Sequence, residues 1–117
     1  SAIKVLPELE NKIFGTSVRI PTSNVSMVDL NLKLSKDKSI DEILNFLRLS
    51  KIVEVNDDPH LVSSDFISTK NPSIIDSSAC MKMGDSEYKL TIWYDNEWSY
   101  SAQALNLVDF IGKYNQK

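Results

Sequence analysis

Residues 25–34, VSMVDLNLKL, set Val28, Leu30, Leu32 and Leu34 on alternate positions with Asp29, Asn31 and Lys33 between them. A repeat of two is that of an extended strand, whose successive side chains point to opposite faces. One face is then apolar and the other polar, which suits an antiparallel sheet with one wetted side. A chain with such a segment needs partner strands and something to cover the apolar face.

The rest of the chain can supply both. Residues 87–94 carry a second alternation, with Tyr88, Leu90, Ile92 and Tyr94 on one side. Residues 17–21, SVRIP, predict a short strand with Val18 and Ile20 on one side, ended by Pro21 and the turn residues that follow. Ser39 and Glu42 form a capping-box pair, and Ile40, Ile43, Leu44 and Leu47 behind them keep the spacing of one buried helical stripe. VNDDPH, residues 55–60, breaks that pattern. Strands are predicted over Leu61–Ser68 and Ile74–Met83, and a hairpin turn at Gly84-Asp85, where glycine could take a positive φ. A closing helix from Tyr100 to about Tyr114 carries Ala104, Leu107, Val108 and Ile111 as its apolar stripe. The fold class is α+β: a largely antiparallel sheet with two helices, forming one domain over residues 1–117.

Composition narrows the partners. A net charge of −3 argues against a nucleic-acid or anionic-membrane surface, which needs clustered Lys and Arg. No apolar run approaches the eighteen or so residues of a membrane span, and no signal peptide opens the chain. A single cysteine excludes an internal disulfide and fits a reducing, cytoplasmic compartment. The first residue is Ser, and SAIKVLPEL reads as the interior of a longer sequence, so a fragment or processed chain is expected.

Chemistry-bearing residues are few. His60, in the turn DDPH, reads as a solvated loop histidine. Cys80, inside IIDSSACMKM, reads as a buried, inert thiol, since a reactive thiolate needs a base or a helix N-terminus beside it. No metal-ligand spacing is present, and the glycines at 15, 84 and 112 are too scattered to cradle a phosphate. Asp95 and Glu97 read as turn and capping residues rather than a carboxylate pair. Arg19, between Val18 and Ile20, is either a surface ion-pairing residue or a fork offering two parallel donors to a carboxylate or phosphate. Asn96 is either a turn asparagine beside core aromatics or an amide that pairs edge to edge with another, with Tyr100 packed on a planar heterocycle.

Taken together, KVLPELENK, SVRIPTSNVSMVDLNLKL, VSSDF and KLTIWYDNEWSYS resemble the C-terminal part of the catalytic domain of phosphorylating glyceraldehyde-3-phosphate dehydrogenases, in order and approximate spacing. The resemblance implies an α+β unit that follows an NAD-binding Rossmann domain. The parent reaction belongs to glycolysis: thiohemiacetal formation, hydride transfer to NAD, then phosphorolysis of a thioester. By the same resemblance Arg19 helps to hold glyceraldehyde 3-phosphate and inorganic phosphate, Asn96 holds the nicotinamide carboxamide, and Tyr100 lies beside the nicotinamide ring. The family's nucleophilic Cys, its partner His and the Gly-rich dinucleotide loop match nothing in residues 1–117, and neither Cys80 nor His60 takes their places. The chain alone is therefore expected to be inactive, with no catalytic residue or metal ligand of its own and no unaided hold on NAD. Ser99 stands where the family has Gly, and SSACMKMGDS is more polar and sulfur-rich than its counterparts.

Two other readings remain open on sequence: a non-catalytic binding or assembly module derived from that family, and a truncated erythrose-4-phosphate dehydrogenase. With part of the parent sheet elsewhere, an exposed apolar face or edge strand should drive self-association.

Overall fold

The alternation in residues 25–34 finds its partner in the one at 87–94. In a computed structural model describing residues 2–114, the regular elements are β1 (Ser26–Lys33), α1 (Ile40–Arg48), β2 (Val53–Asn56), β3 (Ser73–Asp76), β4 (Met81–Gly84), β5 (Glu87–Tyr94) and α2 (Trp98–Tyr114). β1 and β5 run antiparallel in unbroken register from Ser26 opposite Tyr94 to Lys33 opposite Glu87. Val28, Leu30 and Leu32 thus face Ile92, Leu90 and Tyr88 across one side of the sheet.

The sheet has five strands in the order β1-β5-β3-β2, with β4 also paired to β5. β3 and β4 share one edge of β5: Ile74 and Ile75 meet Trp93 and Ile92, while Met81 and Lys82 meet Lys89 and Tyr88. Only the β2–β3 pair is parallel. The largely antiparallel α+β fold is present as expected, and α1 begins with the predicted cap. Ser39 Oγ accepts from Glu42 N–H at 3.1 Å, and Glu42 Oε2 accepts from Ser39 N–H at 2.8 Å.

Two small cores lie on opposite faces. On one, Val25, Phe66 and Ile74 cluster with Leu61 and Trp93, whose ring stacks on Phe66 at 5.6 Å. On the other lie Ile75, Leu90 and Tyr88, the last fully buried. Its hydroxyl donates to Lys38 O at 2.8 Å and accepts from Lys38 N–H at 2.7 Å, which ties the approach to α1 onto the sheet. Asp37 adds to the tie by accepting from Ser86 N–H at 2.9 Å and Lys82 Nζ at 2.6 Å.

Several local expectations are corrected. Residues 17–21 form no strand: Val18 is 84% exposed, and an alternating stretch without a ladder partner has nothing to satisfy its backbone groups except water. Residues Leu61–Ser68 are not a strand either. Asp65 Oδ2 accepts from Val62 N–H at 2.8 Å and closes a short 3-10 helix over Ser63–Phe66. The long strand expected over Ile74–Met83 is two strands. Asp76 Oδ1 accepts from Ser78 N–H at 3.1 Å and Ser78 Oγ at 2.6 Å, so the chain turns through Ser77–Ala79. β2 was not expected; its four residues are too few to show a period. Gly84 ends β4 at a register irregularity, and Ser86, at φ 58, takes the left-handed place in the turn.

α2 begins at Trp98, ahead of the expected Tyr100, and its body is bare. Leu107, Val108 and Ile111 are all exposed, and so are Leu105 and Phe110. The radius of gyration, 15.9 Å, exceeds the roughly 13 Å of a compact domain of this length.

Candidate functional site

β5 ends at Tyr94 and α2 begins within a turn, so residues 95–97 form a corner. The corner is built on Asp95, which is 1% exposed. Its backbone carbonyl accepts from Ser99 N–H at 3.1 Å, so the chain is already turning ahead of Trp98. Oδ1 accepts from Glu97 N–H at 2.9 Å and Trp98 N–H at 2.7 Å, meeting two donors that a helix start leaves unpaired. Oδ2 accepts from Asn24 Nδ2 at 2.8 Å and Ser68 N–H at 2.7 Å, two partners distant in sequence.

These four donors decide the ionisation of Asp95. The Trp98 N–H is the strongest influence and, with Ser68, Glu97 and Asn24, lowers the carboxyl pKa to about 2, against burial, which raises it. The capping role expected of Asp95 is thus what the structure shows. Its long-range partners carried no sequence signal: Asn24 and Ser68 lie in turns, and nothing local points them at residue 95.

Asn96 is next in the chain and exposed. Its Oδ1 accepts from Ser26 Oγ at 3.3 Å. Together with Pro72, Tyr94, Ser99, Tyr100 and Gln103 it lines an open depression of about 240 Å³. The structure therefore brings Asn96 and Tyr100 to one surface, with Tyr94 as a second ring. Ser99, where a glycine was expected from the resemblance, is 3% exposed and donates its hydroxyl to Asp95 O, so the added polar group is satisfied inside the first turn. Sequence reasoning missed Ser26, Pro72 and Gln103; a helical spacing from Ser99 could have suggested Gln103 alone.

Arg19 stands apart. It belongs to an exposed extended stretch, is not among the residues lining the depression, and makes no hydrogen bond or ion pair among the described residues. The rigid strand mounting expected for it is absent.

Cys80 is half-buried and its thiol donates to Asp76 O at 3.1 Å; burial is the main influence and pushes its pKa up, away from a reactive thiolate. His60 is exposed in its turn. A second depression of about 350 Å³ lies between Arg48, Lys51, Val53, Glu54, Val55 and Asn71. Two of its charged groups are engaged nearby: Arg48 Nη2 grips both oxygens of Asp57, at 2.6 and 2.8 Å, and Asn71 bonds Glu54. No described helix is long and apolar enough to cross a membrane.

Comparison with known proteins gives the family. Residues 1–96 match the family model described as glyceraldehyde 3-phosphate dehydrogenase, C-terminal domain, a span that includes Arg19 and Asn96 and ends before Tyr100. A glyceraldehyde-3-phosphate dehydrogenase of Podospora anserina is 42% identical over 96% of this chain and 35% of its own length. A glyceraldehyde-3-phosphate dehydrogenase 2 of Staphylococcus epidermidis is 40% identical over 94% of this chain and 33% of its own. The corresponding Agaricus bisporus protein is 38% identical, over 97% and 35%. The chain thus spans about a third of the length of these curated relatives. With the family model covering most of its residues, the chain belongs to the glyceraldehyde 3-phosphate dehydrogenase C-terminal domain family.

Proposed function

We propose that residues 1–117 act as one domain that supplies the cofactor-facing corner of a phosphorylating glyceraldehyde-3-phosphate dehydrogenase working in glycolysis in the cytoplasm. The observation that carries this is the meeting of Asn96 with Tyr94 and Tyr100 around one depression of about 240 Å³. That volume is equivalent to about eight waters of liquid, which suits one planar heterocycle.

The residues fit the nicotinamide end of NAD. Asn96 Oδ1 is held by Ser26, and its Nδ2 has no hydrogen-bond partner among the described residues, so a donor is free for a carboxamide oxygen. Tyr100, 73% exposed, offers its ring at the same surface. NAD, when bound, supplies the hydride acceptor. Asn96 would orient the ring carboxamide, and Tyr100 would limit where the ring can lie. Arg19, with no partner among the described residues, would receive the phosphate of glyceraldehyde 3-phosphate or inorganic phosphate. The thiolate and its base would come from outside residues 1–117, because Cys80 is held as a thiol. The bare apolar surface of α2 supports self-association or burial against a further domain.

The test uses the complete gene product, with NADH absorbance followed in the presence of glyceraldehyde 3-phosphate, NAD and phosphate. Turnover is expected, whereas residues 1–117 alone should give none. Asn96→Ala should raise KM for NAD about tenfold, since one lost hydrogen bond with its partner left unpaired costs about 1–3 kcal/mol. Arg19→Ala should raise KM for phosphate instead. A complete product that forms no NADH overturns the reading.

A further inference from the structure

Where the β1–β5 ladder ends, the pairing changes in a way that fixes one side chain. The last registered pair is Ser26 opposite Tyr94. Had the ladder run on, Asn24 would have come opposite Asn96. Instead the contacts cross: Asn24 bonds Asp95 at 2.8 Å, and Ser26 bonds Asn96 at 3.3 Å.

Val25 lies at the crossing. Its φ is 73°, in the left-handed region, where a β-branched residue is a true outlier. Its side chain is 8% exposed and packs with Phe66 and Ile74, so the surrounding core holds the backbone in that conformation. Ser68, at φ 68°, is a second left-handed residue aimed at the same place, and its N–H meets Asp95 Oδ2 at 2.7 Å. Strained backbone on two loops thus converges on one corner. Thr22 Oγ1 donates to Asn24 O at 2.8 Å and fixes the turn from the other side, while Asn24 Oδ1 is buried without a partner.

We propose that Ser26 is a positioning residue: its hydroxyl, aimed by the left-handed turn at Val25, holds the Oδ1 end of the Asn96 amide and so presents the Nδ2 end to the ligand in the depression beside Tyr100. A free asparagine amide can turn about its last bond and offer either end. With Ser26 donating to Oδ1, the end left for a ligand is the Nδ2 donor, which suits an acceptor such as a carboxamide oxygen. The role rests on the reading of Asn96 as the amide that meets NAD.

The experiment has two arms on the complete gene product. In the first, NMR relaxation of the Asn96 side-chain NH₂ is compared between the unsubstituted protein and Ser26→Ala without ligand. The amide should be ordered in the former and more mobile in the latter, and Ser26→Thr, which keeps the hydroxyl, should restore order. In the second, Ser26→Ala should raise KM for NAD about three- to tenfold, the range of one hydrogen bond. KM for phosphate and the melting temperature should hold, and Ser26→Thr should recover KM for NAD. An Asn96 amide equally mobile in all three proteins overturns the role of Ser26. So does a KM for NAD that Ser26→Ala leaves unchanged while Asn96→Ala raises it. If Asn96→Ala also leaves that KM unchanged, the reading of the site has failed, and the relaxation arm alone decides whether Ser26 holds the amide.

Discussion

Asp95 is 1% exposed and accepts four hydrogen bonds through its carboxylate, while Phe110, further along the helix that Asp95 caps, is 65% exposed. The start of α2 is anchored by residues from three separate stretches: the turn before β1, the loop before β3, and the corner itself. The body of α2 touches little. Leu105, Leu107, Val108 and Ile111 remain open to solvent, and a helix apolar on several sides is the kind found inside larger assemblies. The contrast separates two kinds of information. The Asp95 carboxylate finds its donors within this chain, because a buried carboxylate without donors would not be tolerated. Apolar burial along the helix is not completed within the described residues.

The sharpest way to break this comparison is Asp95→Ala. Four donors lose their acceptor at once, and the melting temperature should fall on the order of 10 °C, more than for any surface change. Acid should act in the same direction. The Asp95 carboxyl is held at about 2 in the folded chain, chiefly by the Trp98 N–H, and an unfolded Asp titrates near 4. A depressed folded value means the unfolded state binds protons first as pH falls, so the stabilisation is complete above about pH 4 and drains away toward pH 2. Asp37, held down first by Lys82, Asp57, held down first by Arg48, and Glu42, held down first by Lys38, add in the same sense. Far-UV circular dichroism against pH should show helix and sheet lost together in that window. Asp95→Ala should flatten the profile; an unchanged acid midpoint would remove Asp95 from the centre of the corner.

Ser39→Ala should cost about 1 kcal/mol, because it removes one capping bond from a helix whose other contacts stay in place. Urea unfolding measures it. A cost matching that of Asp95→Ala would show that the corner is an ordinary cap and nothing more. The smallest effect belongs to the other side of the comparison. Phe110→Ala should change stability by no more than about 0.5 kcal/mol, as exposed positions do, while weakening self-association in sedimentation velocity. A large loss of stability would mean that this face of α2 already packs against the chain.

Legibility followed the range of the interactions. The β1 and β5 alternations and the Ser39–Glu42 box are local patterns, repeated over enough residues to be read directly. β2 was missed because Val53 and Val55 are a single alternation, and it becomes a strand only through pairing with β3. The breaks at Ser63–Phe66 and Ser77–Ala79 came from single carboxylates, Asp65 and Asp76, capturing nearby N–H groups. Such captures compete with strand pairing by small margins that a hydrophobic pattern does not register. At the candidate site, Asn96 and Tyr100 were singled out by their chemistry and given roles by family resemblance, and their shared surface was then visible in the geometry. Arg19 was named by the same route, and the expected strand beneath it did not form.

By itself the sequence determined the fold class, the β1 and β5 strands, the cap of α1, the capping function of Asp95 and the family, because each rests on residues close together or on a motif order. Only the tertiary structure decided what Asp95 and Asn96 answer to. Asn24 lies 71 positions from Asp95, and Ser26 lies 70 from Asn96. Their meeting depends on the register of two strands, on a core that holds Val25 left-handed, and on the point where β5 gives way to α2. Hydrogen bonds act over about 3 Å, so a shift of one residue in that register would have undone all of them without altering any local pattern.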